Sequence, residues 1–144
     1  TILEPSAGQG AIVEAIRRSG HDGLIHCIEL MPVNSIILTN KRIMHDNCDF
    51  LSFNFRVKYS KIIANPPFTK NQDIDHLLKM YDCLEDGGRI VCITSESWTT
   101  GNQKKQVDFR NWLQEMGADI LDIEKGEFKE SGTMVGGKII VLNK

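Results

Sequence analysis

The sequence predicts an α/β fold built on a mostly parallel, seven-stranded sheet with helices on both faces. Short apolar segments rich in β-branched residues alternate with amphipathic segments, which is the pattern of consecutive βαβ units. The last two apolar segments, ADILDIE and GKIIVLN, have no helical segment between them. They are therefore expected to form an antiparallel pair at one edge of the sheet. With 144 residues, the chain is expected to form a single domain, residues 1–144.

The individual elements are predicted from hydrophobic periodicity and from the positions of glycine and proline. Apolar residues at helical spacing predict helices in AIVEAIRR, PVNSIILTN, NQDIDHLLKMYDCL and QVDFRNWLQEM. Apolar runs predict strands in TIL, LIHCIEL, RIMHDNCDF, KIIAN, RIVCITS, ADILDIE and GKIIVLN. Gly87 and Gly88 are expected to end the third helix. The first strand is short for a central strand, which usually has about five or six residues, so an upstream segment is expected to belong to the domain.

Composition and charge argue against several classes of protein. The formal net charge of −2 argues against a protein that coats nucleic acid through bulk charge, although it leaves room for a local basic patch. The longest apolar runs are far shorter than a membrane span. The four cysteines form no C-x-x-C pair, and the four histidines show no metal-ligand spacing. These features predict reduced thiols, no metal site, no membrane association and a cytoplasmic location.

Polar residues follow four of the predicted strands. Glu4, Glu29, Asp49 and Asn65 each come at or directly after the end of a strand. In a parallel α/β sheet, ligands bind in the crevice at the carboxyl ends of the strands, near the point where the strand order reverses. These four residues are therefore expected to share one crevice.

The segment EPSAGQG, residues 4–10, lies between the first strand and the first helix. Gly8 and Gly10 allow a tight turn and a close approach of the backbone to a ligand. Val13 occupies the third glycine position of the G-x-G-x-x-G fingerprint, which disfavours a dinucleotide. A simple tight turn is the alternative, but the acid at the strand end and the helix that follows favour a ligand site.

Two further strand ends carry groups that suit a nucleoside. Glu29 lies nineteen residues beyond Gly10, where a carboxylate is able to accept both hydroxyl groups of a ribose. Asp49 and Phe50 combine an acceptor for an exocyclic amine with an aromatic face for an adenine ring. Each has a structural alternative: Glu29 as a solvated strand end, Asp49 as the cap of a turn, and Phe50 as a core residue.

The segment NPPF, from Asn65 to Phe68, ends the apolar strand KIIAN with a rigid turn. Two consecutive prolines lack N–H donors and have fixed φ angles, and they hold the residue before them near extended geometry. The Asn65 carboxamide oxygen and the Pro66 carbonyl are then adjacent acceptors for the two hydrogens of an –NH₂ group, and Phe68 is able to stack on a flat ring. A purely structural turn is the alternative, whereas rigidity favours catalysis by positioning.

In order and spacing, EPSAGQG followed by NPPF resembles the S-adenosylmethionine-dependent amino methyltransferases, especially the adenine-specific DNA methyltransferases. The resemblance covers nearly the whole chain and implies the Rossmann-like class I methyltransferase fold. It implies that Asn65, Pro66, Pro67 and Phe68 are the catalytic residues. It also implies that S-adenosylmethionine contacts Glu4, Pro5, Ala7, Gly8, Gly10, Glu29, Leu30, Asp49, Phe50 and Asn65.

The resemblance further implies a nucleic-acid partner. The late segment GEFKESGT is similar to the family's late motif, in which an aromatic residue, here Phe128, packs against a flipped base. Lys70, Lys104 and Lys105 are expected to meet phosphates, although ordinary solvated charges are the alternative. The loops are short for a target-recognition region, so a separate recognition subunit or domain is expected.

Three functions remain open at this level. The first is methylation of adenine in DNA. The second is the same chemistry on adenine or guanine in RNA, or on a protein glutamine, which also presents a planar –NH₂ group. The third is a non-catalytic, cofactor-binding subunit that scaffolds a partner. The intact NPPF segment favours an enzyme, and its Phe in place of Tyr favours a nucleic-acid substrate.

Overall fold

Strands and helices alternate along the chain in a computed structural model that describes residues 1–124 and 136–144. The helices are α1 (Ala11–Arg18), α2 (Pro32–Asn40), α3 (Gln72–Cys83), α4 (Ser97–Thr100) and α5 (Lys104–Glu115). The strands are β1 (Ile2–Glu4), β2 (Ile25–Ile28), β3 (His45–Asp46), β4 (Tyr59–Ala64), β5 (Leu84–Ser95), β6 (Asp119–Ile123) and β7 (Gly137–Asn143). Short 3₁₀ turns at Phe50–Ser52 and Thr69–Asn71 follow β3 and β4. Among the described residues, no helix has the length and apolar character needed to cross a membrane.

The described strands form one seven-stranded sheet in the order β3-β2-β1-β4-β5-β7-β6. The first five strands of this order run parallel, β7 runs antiparallel to β5, and β6 runs antiparallel to β7. The predicted mostly parallel sheet with an antiparallel pair at one edge is therefore confirmed. The strand order reverses between β1 and β4, and such a reversal creates the crevice in which α/β sheets bind ligands.

Two apolar clusters stabilise the sheet. The larger cluster joins β1, β4, β5 and β7 to α3 and α5. The smaller cluster joins β1 and β2 to α1 and α2 through Ile2, Ala7, Val13, Ile25, Cys27 and Leu38. Burying one large aliphatic or aromatic side chain stabilises a fold by about 1.5–3 kcal/mol, so these clusters hold the strand ends in fixed positions.

The third helix ends earlier than its glycines predicted. α3 ends at Cys83, and Leu84 already has extended backbone angles, with φ −80° and ψ 136°. Gly87 has a φ of 80° and donates its N–H to the carbonyl of Lys144 at 2.8 Å. Gly87 and Gly88 therefore lie within β5, because the chain beyond β7 offers them backbone partners.

Local backbone features shape the loops at the carboxyl edge of the sheet. Gly10 precedes α1 with a φ of 92°, a backbone conformation that strains any residue with a Cβ and therefore favours glycine. Pro32 begins α2, where its missing N–H leaves no helical hydrogen bond unmade. Beyond the NPPF turn, Lys70 and Asn71 both have a φ of 56°. Two consecutive non-glycine residues in this region store backbone strain next to the turn.

Candidate functional site

A cavity of about 640 Å³ opens at the carboxyl edge of the sheet, where the strand order reverses. This volume lies within the range of small-molecule sites, about 300–1,000 Å³. The loops that follow β1, β2, β3 and β4 and the first turns of α3 supply its walls. Its lining residues are Pro5, Ser6, Glu29, Leu30, Met31, Cys48, Asp49, Phe50, Asn65, Pro66, Pro67, Phe68, Gln72 and His76.

The cavity brings together most of the residues that the sequence singles out. The complete NPPF segment lines it, together with Pro5, Glu29, Leu30, Asp49 and Phe50. Glu4, Ala7, Gly8 and Gly10 are not part of the lining. Glu4 and Gly8 make hydrogen bonds that organise the loops beside the cavity.

Glu4 is fully buried at the end of β1 and does not face the cavity. Its Oε1 accepts a hydrogen bond from the backbone N–H of Ser6 at 3.1 Å, and its Oε2 has no hydrogen-bond partner among the described residues. Burial raises its pKa from 4.5 to about 8, and the neighbouring charge of Glu29 adds to this effect. Glu4 is therefore a mostly neutral acid near pH 7 that orders the loop containing Ser6.

Glu29 joins the loops that follow β1 and β2. Its Oε2 accepts the backbone N–H of Gly8 at 2.7 Å, and its Oε1 accepts the backbone N–H of Met31 at 2.7 Å. The Asn34 side chain donates to the same Oε1 at 3.4 Å. A carboxylate oxygen offers two acceptor positions, so Oε2 retains one for a ligand. Glu29 is thus an organised acceptor in the cavity wall and not a solvated strand end, since only 6% of its surface is exposed.

Asp49 and Phe50 combine their two alternative roles. Asp49 caps a 3₁₀ turn, because its Oδ1 accepts from Leu51 N at 3.0 Å and its Oδ2 from Ser52 Oγ at 2.7 Å. The Ser52 hydrogen bond is the main cause of the lowered pKa of Asp49. Phe50 is almost completely buried, yet it contributes to the cavity lining. Both residues therefore serve the fold and are available to a ligand.

The NPPF turn projects from β4 into the cavity. Asn65 and Pro67 are exposed, Phe68 is half-buried and Pro66 is buried. Just beyond the turn, Asn71 contacts the residue before α5, since its Nδ2 donates to Gln103 Oε1 at 3.2 Å. Ser97 Oγ donates to Asn71 Oδ1 at 3.4 Å. These contacts hold the strained backbone at residues 70–71 and connect the turn to the segment after β5.

The three predicted phosphate contacts differ in their surroundings. Lys70 is exposed and has no ion pair or hydrogen bond with any residue in 1–124 or 136–144. Lys104 pairs with Asp108 along α5, and Lys105 Nζ pairs with Asp75 Oδ2 at 2.6 Å. The Lys104–Asp108 pair is exposed, and exposed ion pairs contribute only about 0–1 kcal/mol, so this pair opens readily, whereas the Lys105–Asp75 pair is partly buried. Phe128 lies outside the described residues.

The cavity also contains residues that the sequence did not identify as functional. These are Ser6, Met31, Cys48, Gln72 and His76. Only their neighbours in sequence provided a signal, since Ser6 lies inside EPSAGQG and Cys48 precedes Asp49. Within residues 1–124 and 136–144, no group of three or more His, Cys, Asp or Glu side chains is placed to hold a metal ion.

Comparison with solved structures identifies the fold. The chain superimposes on the type I restriction enzyme EcoKI M protein with a TM-score of 0.77, at 18% identity, over 100% of this chain and 39% of that one. An rRNA methylase from Streptococcus thermophilus superimposes with a TM-score of 0.65 at 11% identity, over 99% of this chain and 86% of that one. The plantazolicin methyltransferase BpumL, in complex with S-adenosylhomocysteine, superimposes with a TM-score of 0.64 at 13% identity, over 99% of this chain and 76% of that one.

A class I S-adenosylmethionine-dependent methyltransferase from Listeria monocytogenes superimposes with a TM-score of 0.73 at 10% identity, over 99% of this chain and 53% of that one. These likenesses show that the chain has the class I methyltransferase fold, as the sequence predicted. The chain spans about two fifths of the length of the EcoKI M protein. No protein-family model matches the chain, and no curated protein sequence is similar to it.

The raised pKa of Glu4 makes a prediction about stability. Between pH 4.5 and pH 8 the unfolded chain has lost this proton while the folded chain retains it, so the free energy of unfolding should fall as the pH rises through this range. In the Glu4→Gln variant, the free energy of unfolding should not show this decrease with pH. Its stability relative to the wild type should increase by on the order of 3 kcal/mol across the range, as measured by urea unfolding at several pH values.

Glu14→Gln provides the matched control, because Glu14 on α1 is only partly buried and its pKa is lowered by Lys41. That variant should follow the wild-type pH dependence above about pH 5. If the free energy of unfolding changed with pH in the same way in the wild type and in Glu4→Gln, Glu4 would be ionised in the folded protein at neutral pH.

Proposed function

We propose that the protein transfers a methyl group from S-adenosylmethionine to a planar exocyclic amine, with adenine in DNA as the first candidate substrate. One observation carries the proposal. A single cavity at the point of strand-order reversal is lined by Glu29, by Asp49 and Phe50, and by the complete NPPF turn. Nucleoside-binding groups and paired acceptors for an amine therefore share one site in a class I methyltransferase fold.

The chain supplies groups that suit each part of the cofactor. The free acceptor position on Glu29 Oε2 suits a ribose hydroxyl, and Asp49 and Phe50 suit an adenine ring. The loop containing Pro5 and Ser6 lines the cavity beside them and suits the methionine part. When bound, the cofactor supplies an electrophilic methyl group on a sulfonium.

The NPPF turn acts on the acceptor amine. An adenine amine is a weak nucleophile because its lone pair is delocalised into the ring. The Asn65 carboxamide oxygen and the Pro66 carbonyl accept its two N–H groups and so favour a pyramidal nitrogen with its lone pair directed at the methyl group. As the N–C bond formed, the methyl–sulfur bond would break and S-adenosylhomocysteine would leave. Positive charge develops on the nitrogen during transfer, and preorganised acceptor dipoles stabilise it until one proton is lost to water. The face of Phe68 adds a cation–π contribution.

Two considerations support a nucleic acid as the substrate. The EcoKI M protein, a type I restriction enzyme subunit, is among the structural neighbours, and so is an rRNA methylase. The first favours DNA and a separate recognition subunit, and the second keeps RNA as the second candidate. A base in a duplex has to be flipped into the cavity at a cost of a few kcal/mol, and Asn65 and Pro67 are exposed where such a base would enter.

The direct test is methyl transfer from radiolabelled S-adenosylmethionine to separate DNA, RNA and protein fractions. The wild type should label DNA most strongly. The Asn65→Ala variant should lose about a hundredfold or more of this activity, while its affinity for the cofactor stays within a few-fold. Asn54→Ala, an exposed asparagine outside the cavity, is the matched control and should retain activity.

Each other outcome has a definite meaning. Labelling of RNA or protein alone would replace the DNA substrate with that fraction. Cofactor binding without transfer to any fraction would support a non-catalytic scaffold. Near wild-type turnover by Asn65→Ala would remove Asn65 from the mechanism.

The lysines after the NPPF turn and at the start of α5 lead to a second prediction. Replacing Lys70, Lys104 and Lys105 with alanine should weaken nucleic-acid binding and flatten its dependence on salt by about one unit of slope per lost phosphate contact. Lys70→Ala alone should flatten the salt dependence by about one unit of slope, because Lys70 has no competing carboxylate among the described residues. Fluorescence anisotropy with DNA and RNA oligonucleotides over a salt series measures the slope.

Lys61→Ala, an exposed lysine within β4, provides the control and should leave the slope unchanged. Cofactor affinity should be the same in all of these variants. If the triple variant binds both polynucleotides with wild-type affinity and slope, the polynucleotide path lies elsewhere or the substrate is a protein.

A further inference from the structure

His76 is a buried histidine that reaches the cavity from α3. Only 5% of its surface is exposed, and that surface contributes to the cavity lining. Its Nδ1 lies 3.5 Å from Ser6 Oγ, and its ring centroid lies 5.2 Å from that of Phe50 at an interplanar angle of 40°. His76 therefore lies between the loop after β1 and the turn after β3, which are the two sides of the proposed cofactor site.

The surroundings of His76 keep its ring uncharged near neutral pH. Burial lowers its pKa below 6.5, and this effect outweighs the opposing charges of Asp49, Asp75 and Asp73. Lys79, one turn further along α3, acts in the same direction as burial. Nε2 makes no hydrogen bond to any described residue. A proton added to this ring would therefore place a positive charge in a cavity wall without a paired acceptor.

We propose that His76 makes the site sensitive to the charge of the bound cofactor, because its neutral ring admits the sulfonium of S-adenosylmethionine and its protonated ring repels it. This inference rests on the proposed cofactor site. S-adenosylhomocysteine has the same nucleoside and amino-acid groups but an uncharged thioether. Protonation of His76 should therefore weaken binding of the methyl donor and leave binding of the demethylated product nearly unchanged.

The comparison of these two compounds isolates His76 from most other titrating groups. The contacts proposed for Asp49 are with the nucleoside that the two compounds share, so a change in its charge would affect both compounds. Glu4 is the exception, because its pKa of about 8 overlaps the upper part of the range and its charge would attract a sulfonium. The experiment therefore includes a Glu4→Gln background.

The experiment is isothermal titration calorimetry of S-adenosylmethionine and S-adenosylhomocysteine between about pH 7.5 and about pH 5. In the wild type, the ratio of the two dissociation constants should shift against S-adenosylmethionine by about fivefold or more as the pH falls. His76→Phe keeps an aromatic ring against Phe50 and His76→Gln keeps a polar group near Ser6, and neither can be protonated. In both variants, when they also carry Glu4→Gln, the ratio should be independent of pH.

His21→Gln is the matched control, since His21 lies in the turn after α1 at the opposite edge of the sheet and should retain the wild-type pH dependence. An NMR titration of the His76 ring gives a reciprocal readout, because coupling between two sites acts equally in both directions. S-adenosylmethionine should lower the pKa of His76 further than S-adenosylhomocysteine does.

Failure of this inference differs from failure of the proposed function. If neither compound binds at about pH 7.5, the proposed cofactor site is wrong. If both bind and the wild-type ratio does not change with pH, or if the ratio changes equally in the wild type and in His76→Gln, His76 does not sense the sulfonium charge.

Discussion

The candidate site depends on one buried carboxylate, that of Glu29, which accepts the backbone N–H groups of Gly8 and Met31 at 2.7 Å each. Hydrogen bonds to an ionised group contribute about 1.5–3 kcal/mol each, and a buried N–H left without its acceptor is costly. The Gly8 bond joins the loop after β1 to the loop after β2, and the Met31 bond orders the second loop around the same carboxylate. Pro5 and Leu30 then line the same cavity because their loops share Glu29 as a hydrogen-bond acceptor.

The strand order adds the second half of the site. Because β1 pairs with β2 on one side and with β4 on the other, the NPPF turn after β4 faces the Glu29 loops across the crevice. The prolines hold Asn65 in place, while Asn71 connects the strained residues that follow to Gln103. Cofactor groups and amine acceptors are thus brought together by topology. Their fixed geometry is what catalysis by positioning requires.

The sequence was sufficient to predict the fold and most of the cavity, because strand alternation and strand-end residues report directly on a parallel sheet. The expected contact of Glu4 with the cofactor stays a prediction: Glu4 is fully buried at the end of β1 and is not among the lining residues, and its burial depends on packing that the sequence pattern does not report. The sequence also missed His76, whose access to the cavity depends on the packing of α3 against Phe50. Such packing between distant segments leaves no local pattern in a sequence.

Calorimetric titration of S-adenosylhomocysteine into the wild type, Glu29→Ala and Asp49→Asn tests the central claim most directly, because this compound binds without being consumed. We expect one site per chain in the wild type and a loss of about tenfold or more in affinity for Glu29→Ala, with a smaller loss for Asp49→Asn. Circular dichroism melting of each variant establishes that it is folded. Wild-type affinity in both folded variants would contradict a cofactor site organised by Glu29.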